Sequence, residues 1–199
     1  MRLTIVLLPG LTLGLMLAGC DRQKADAPQG EAPPTASAGP AAGRSPESYP
    51  TGRLDRSHAG TPAPDVTFED PLGRPVRMAD FQGRPTLVNL WATWCAPCVV
   101  EMPSLDALAR REGEALNVLA LSQDFGGRDK VTQFFARHRF SELEPYLDGE
   151  MKFMPALGID TLPTTILYDA DGTEVWRMTG MVDWESERAD RLLLEAEAG

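Results

Sequence analysis

The sequence predicts an α/β domain with a mixed central sheet, helices on both of its faces and an N-terminal β-hairpin. Three observations carry this. Two short apolar runs, Thr86-Leu87-Val88-Asn89-Leu90-Trp91 and Leu116-Asn117-Val118-Leu119-Ala120-Leu121, have the length of buried strands. Each is followed by helical spacing: Met102, Leu105, Leu108 and Ala109 after the first, and Val131, Phe134 and Phe135 after the second. Before them, residues 65–69 and 75–78 flank the turn Asp70-Pro71-Leu72-Gly73, which reads as a hairpin. Strands separated by helices imply a mixed sheet covered on both sides.

The chain opens on Met1-Arg2-Leu3, one positive charge, followed by an almost wholly apolar stretch over residues 4–17. A membrane span needs about 20 residues, so this is too short and has the length of a signal-peptide core. It ends in Leu17-Ala18-Gly19-Cys20, which resembles the bacterial lipobox. That resemblance implies cleavage before Cys20 and acyl chains on it, and more than one chain gives stable anchoring. With Asp21 next, and in a Gram-negative source, it further implies retention at the inner membrane, on its periplasmic side. An ordinary secretory signal with Cys20 incidental and an uncleaved anchor helix are the alternatives, and either still exports the domain.

From Asp21 to about residue 63 the chain is rich in Ala, Pro, Gly and Ser, with Tyr49 and Leu54 almost its only large apolar residues. Such a segment buries too little surface to offset its ordering entropy. The organisation expected is a signal peptide over 1–19, a disordered tether over 20–63 and one folded domain over 64–199. His58 falls in the tether and reads as solvated. The net charge of −10 argues against nucleic acid as a partner.

Within the domain a helical turn is expected at 79–83 and short elements at 144–148 and 151–157. Ile166-Leu167-Tyr168 and residues 173–178 form strands around the turn Asp169-Ala170-Asp171-Gly172. A final helix runs from 185 to about 198, with Leu192, Leu193 and Leu194 available for the core. His138 reads as a surface residue near a helix end.

The chemistry lies in Cys95-Ala96-Pro97-Cys98, where the first apolar run meets the first helix. A helix N-terminus carries partial positive charge and free N–H groups, which favour an anion. Thiols placed so have pKa values of roughly 3.5 to 7.5, and the thiolate is the species that attacks a disulfide. Pro97 has its φ already set for a first helical turn. A structural zinc site needs four ligands, and beyond this pair only the distant Cys20 remains. A purely structural disulfide would close a very small loop and restrain little of the unfolded chain.

These residues, with Glu101, Pro103, Gly158-Ile159, Leu162-Pro163-Thr164 and Asp169-Ala170-Asp171-Gly172, resemble the thioredoxin fold. More closely they resemble the TlpA/ResA-type group of membrane-tethered, extracytoplasmic thiol–disulfide oxidoreductases. The resemblance covers residues 64–198. It implies that Cys95 is the attacking thiol, that Cys98 is the resolving thiol and that they form a redox-active disulfide. Pro163 matches the family's cis-proline, and Trp94, Leu162 and Pro163 are the expected substrate contacts; packing is the competing role for Leu162. Where thioredoxin has a buried aspartate, Asn89 stands here and cannot take a proton. Glu101 is therefore the preferred proton acceptor for Cys98, against the alternative of an ordinary surface glutamate.

The resemblance implies reduction of protein disulfides outside the cytoplasm, as in cytochrome c maturation or oxidase copper-site assembly. It implies no cofactor and a membrane electron donor of the DsbD/CcdA type. Two alternatives use the same cysteines: a thiol oxidant, and a copper-binding protein drawing on His138, Met151 or Met154. A thiol peroxidase needs a different motif. The residues themselves require no metal.

Overall fold

The computed structural model describes residues 52–197. The expected signal peptide, the lipidation at Cys20 and residues 20–51 of the tether lie outside the described residues. The first elements are β1 (Arg53–Asp55), β2 (Phe68–Glu69), β3 (Pro75–Val76), β4 (Thr86–Trp91), α1 (Ala96–Glu112) and β5 (Asn117–Ser122). They continue with α2 (Arg128–His138), β6 (Pro145–Leu147), α3 (Phe153–Ala156), β7 (Thr164–Tyr168), β8 (Glu174–Thr179) and α4 (Glu187–Leu193).

One sheet of order β1-β8-β7-β4-β5-β6-β2-β3 runs through the domain. It is mixed: β4 pairs in parallel with β5 and β5 with β6, while β7 runs antiparallel to β4 and to β8. β4 is buried at all six positions, and its alternation sorts the core into two layers. Leu87 and Trp91 face a cluster built with Met102, Leu105 and Leu108 of α1, Phe134 of α2 and Leu192 of α4. Val88 and Leu90 face the other way, against Phe68, Met78 and Phe153 of α3. Two successive crossovers of the usual hand place α1 and α2 on the same face. Among the described residues, the opposite face carries the short α3 and a 3-10 turn at Met78–Phe81.

The expected hairpin is present as β2 and β3, with Phe68 opposite Val76. Its turn is organised by Asp70, whose carboxylate accepts from the N–H groups of Leu72 and Arg74. α1 continues through Pro103, whose ring is exposed. The last helix starts later than expected, at Glu187, because the Ser186 hydroxyl caps it by accepting from the Ala189 N–H. Leu192 is buried, whereas Leu194, expected to be available for the core, is 63% exposed.

The tether boundary at residue 63 is corrected. Residues 52–63 belong to the domain. β1 pairs with β8 through Arg53↔Thr179, Leu54↔Met178 and Asp55↔Arg177. Beyond it, Gly60 and Ala63 donate to the carbonyls of Glu174 and Gly172, and Glu174 donates to Thr61. Arg56 forms an ion pair with Glu195 at 2.6 Å. Composition misled because the segment is held largely by main-chain hydrogen bonds at a sheet edge, with apolar packing from Leu54 and Ala63. Gly52 is needed for the approach: a Cβ there would lie 2.8 Å from Met178 Cγ and 2.9 Å from the Gly180 carbonyl.

A chain beginning at residue 64 should therefore be less stable than one beginning at residue 52. The loss of an edge strand and of Leu54 burial is expected to cost about 2 kcal/mol or more. Urea unfolding followed by tryptophan fluorescence measures it; equal midpoints would mean the segment contributes nothing.

Candidate active site

β4 ends at Trp91, and four residues later the chain enters α1. Cys95 is the N-cap of that helix, extended at φ −87° and ψ 98°. Its carbonyl accepts from the Val99 N–H at 3.1 Å, and its Sγ lies 3.4 Å from the Cys98 N–H, which donates to it. Pro97, within the first turn, has no N–H to leave unpaired. Cys95 and Cys98 are joined as a disulfide. The outer cysteine is 6% exposed and the inner one 0%. On reduction, a thiolate at Cys95 would face the positive end of a 17-residue helix. Cys98 sits in the apolar layer with Met102 and Leu105, so its proton has no direct route to solvent.

Glu101 lies three residues further along, on the same face of the helix. The surface reading of Glu101 is wrong, since it is only 2% exposed. One oxygen accepts from Asn89 Nδ2 at 2.6 Å and the other from the Val182 N–H at 2.9 Å. Asn89 stands on β4 opposite Thr165 of β7 and also donates to Thr165 Oγ1 at 2.9 Å. Burial pushes the carboxyl up to about 7; the Val182 and Asn89 donors act the other way and limit the rise. The result is a carboxyl near neutrality beside a buried thiol.

The other expected residues gather at the same end of the sheet or just beyond it. The Leu162–Pro163 bond is cis, and the Pro163 carbonyl accepts from the Gly180 N–H. Leu162 is half-buried and packs against both core layers, so the packing role applies to its side chain. Trp94 is 63% exposed beside the cysteines.

His138 is not brought to this site. It is the last residue of α2, ten residues and about 15 Å of helix from its start. It stacks on Phe134 at 3.9 Å. Met151 is exposed, and Met154 packs in the second layer.

Three participants escaped the sequence reading. Val182 acts through its backbone N–H, which no side chain announces. Thr165 reads as an ordinary strand residue. Asp124 follows β5 and is 1% exposed. It accepts from the Thr93 N–H at 2.8 Å and the Thr93 hydroxyl at 2.7 Å, and pairs with Lys130 at 3.2 Å. Burial acts to raise its pKa, but the Thr93, Lys130 and Ser122 donors outweigh this and hold it below the usual carboxylate value. A polar residue at the carboxyl end of a strand parallel to the cysteine-bearing one was the available signal.

The Redoxin family model matches residues 58–193. The chain belongs to the Redoxin family. Among its relatives, the thiol–disulfide oxidoreductase ResA of Geobacillus thermodenitrificans is 32% identical over 128 residues, covering 63% of this chain and 72% of that protein. The thiol:disulfide interchange protein DsbE of Vibrio cholerae is 31% identical over 153 residues, covering 72% of this chain and 80% of that one. A solved Chlorobium tepidum structure described as a DsbE-type interchange protein superposes with a TM-score of 0.62 at 22% identity, over 69% of this chain and 96% of that chain. That last likeness speaks for the fold alone, which is thioredoxin-like. The expected TlpA/ResA-type resemblance is thus established, and the chain is a disulfide oxidoreductase of the Redoxin family.

The raised pKa of Glu101 has a stability consequence with a definite sign. The native carboxyl binds its proton more tightly than an unfolded one, so its own contribution to stability is full below about pH 4.5 and is lost as pH rises from there through about 7. The contribution is about 3 kcal/mol. In the oxidised protein, the Glu101→Gln variant should lack this fall, seen as a difference between the two unfolding free energies that grows from pH 5 to 8. A constant difference would place the carboxyl at its ordinary value.

Proposed function

We propose that this protein is a reductase of disulfides in exported proteins, working outside the cytoplasm. What best supports the reading is a cysteine pair whose outer member caps a helix while its inner member is sealed in the core next to a near-neutral buried carboxyl.

The Cys95 thiolate attacks one sulfur of a substrate disulfide. A Cys95–substrate mixed disulfide forms, and the other substrate sulfur leaves as a thiolate. Glu101 accepts the proton of Cys98. The Cys98 thiolate then attacks Cys95 Sγ and releases the second substrate sulfur. The products are a reduced substrate and the Cys95–Cys98 disulfide. Trp94, Pro163 and the backbone of Leu162 receive the substrate strand. A dithiol donor in the membrane, of the DsbD/CcdA type, returns the pair to its reduced form. Acyl chains on Cys20 hold the protein at the periplasmic face of the inner membrane, with residues 21–51 as its tether.

A Cys98→Ser variant cannot resolve the mixed disulfide, so it should accumulate a covalent adduct on Cys95 in cells. The adduct is read by non-reducing electrophoresis and is absent from a Cys95→Ser, Cys98→Ser double variant. Failure to trap any protein would remove the reductase assignment. Direction is tested separately by equilibration with glutathione. A reductant should give a potential below about −200 mV, whereas a value near about −120 mV would mark an oxidant.

A further inference from the structure

Two aromatic rings stand out of the surface among the described residues: Trp94, 63% exposed, and Phe125, 82% exposed. They are far apart in sequence, yet each is the chain neighbour of one partner in a single clamp. Thr93 precedes Trp94, and Asp124 precedes Phe125. The Asp124 carboxylate takes both the N–H and the hydroxyl of Thr93, and it is buried, charged and further held by Ser122 Oγ at 3.0 Å and Lys130 at 3.2 Å. The clamp fixes the loop after β5 against the loop that carries Cys95. Ala96, Pro97 and Val100 are also exposed, on the first turns of α1. These exposed residues and Trp94 flank the cysteine pair in the chain, and the clamp ties the loop of Phe125 to theirs.

We propose that Phe125 is a docking residue for the polypeptide that flanks the substrate cystine, and that Asp124 is the positioning residue that presents it. The inference rests on the reductase reading. The occupant is a protein chain because Phe125 stands on a second loop, tied to that of Cys95 through the clamp, and a polypeptide around the cystine extends across both loops. The tie to the loop that carries the reacting sulfur selects the substrate over an unrelated partner. Phe125 therefore contributes to the choice between protein and small-molecule disulfides.

The test compares the wild type with Phe125→Ser and Phe125→Leu on two probes, insulin and glutathione disulfide. In Phe125→Ser, kcat/KM for insulin should fall about five- to tenfold more than kcat/KM for glutathione disulfide, carried by KM, as for an aromatic anchor at an interface. Phe125→Leu should recover most of the loss. In an Asp124→Ala background the serine substitution should add little, since a ring no longer held in place has little left to lose. Equal falls with the two probes, no fall, or full additivity with Asp124→Ala would overturn the proposal. So would a wild-type dimer in sedimentation that Phe125→Ser abolishes without changing the insulin preference. A wild type that reduces neither probe would instead overturn the reductase reading.

Discussion

The domain turns on a buried carboxyl group. Glu101 accepts from Asn89 of the central strand and from the backbone N–H of Val182, in the segment between β8 and α4. Three separate parts of the chain therefore meet at one side chain of the active-site helix. Burying a carboxylate is costly unless donors compensate, and here two donors offset only part of the penalty. The group is left able to exchange a proton at neutral pH. The same arrangement joins strand, helix and C-terminal segment, and it underlies the proposal that Glu101 accepts the proton of Cys98.

The two cysteines differ because the helix start treats them differently. Cys95 is at the cap, at the rim of the fold, with the helix dipole favouring its thiolate. Cys98 is one turn inside and closed off by Met102 and Leu105. The proposed mechanism therefore gives attack to the outer sulfur, and resolution to the inner one once its proton has somewhere to go. The cis bond before Pro163 and the Asp124–Thr93 clamp border the outer cysteine from neighbouring strands. The parallel β4 and β5 end, and the antiparallel β7 begins, at one edge of the sheet, which brings these loops together.

What the sequence made legible was local or periodic. Apolar runs marked β4, β5 and β7, helical spacing marked α1 and α2, and the cysteine spacing at a helix start marked the chemistry. Asn89 was legible as a missing acid and drew attention to Glu101, whose burial was not visible. What stayed hidden depended on pairing across long separations. β1 is three residues held by edge hydrogen bonds, so its composition read as tether. Val182 contributes only backbone. The clamp joins Thr93 to Asp124, two polar residues with no motif between them. Leu194 continued an apolar run but lies past the turn that faces the core.

The central claim is that Glu101 sits poised to take a proton at neutral pH. Titration of its side-chain carboxyl by 13C NMR in the oxidised protein, assigned by comparison with Glu101→Gln, tests this directly. The structure predicts a midpoint near 7. A midpoint near the ordinary 4.5 would mean that Glu101 is already ionised when Cys98 must lose its proton and has no raised affinity for it, contradicting the account.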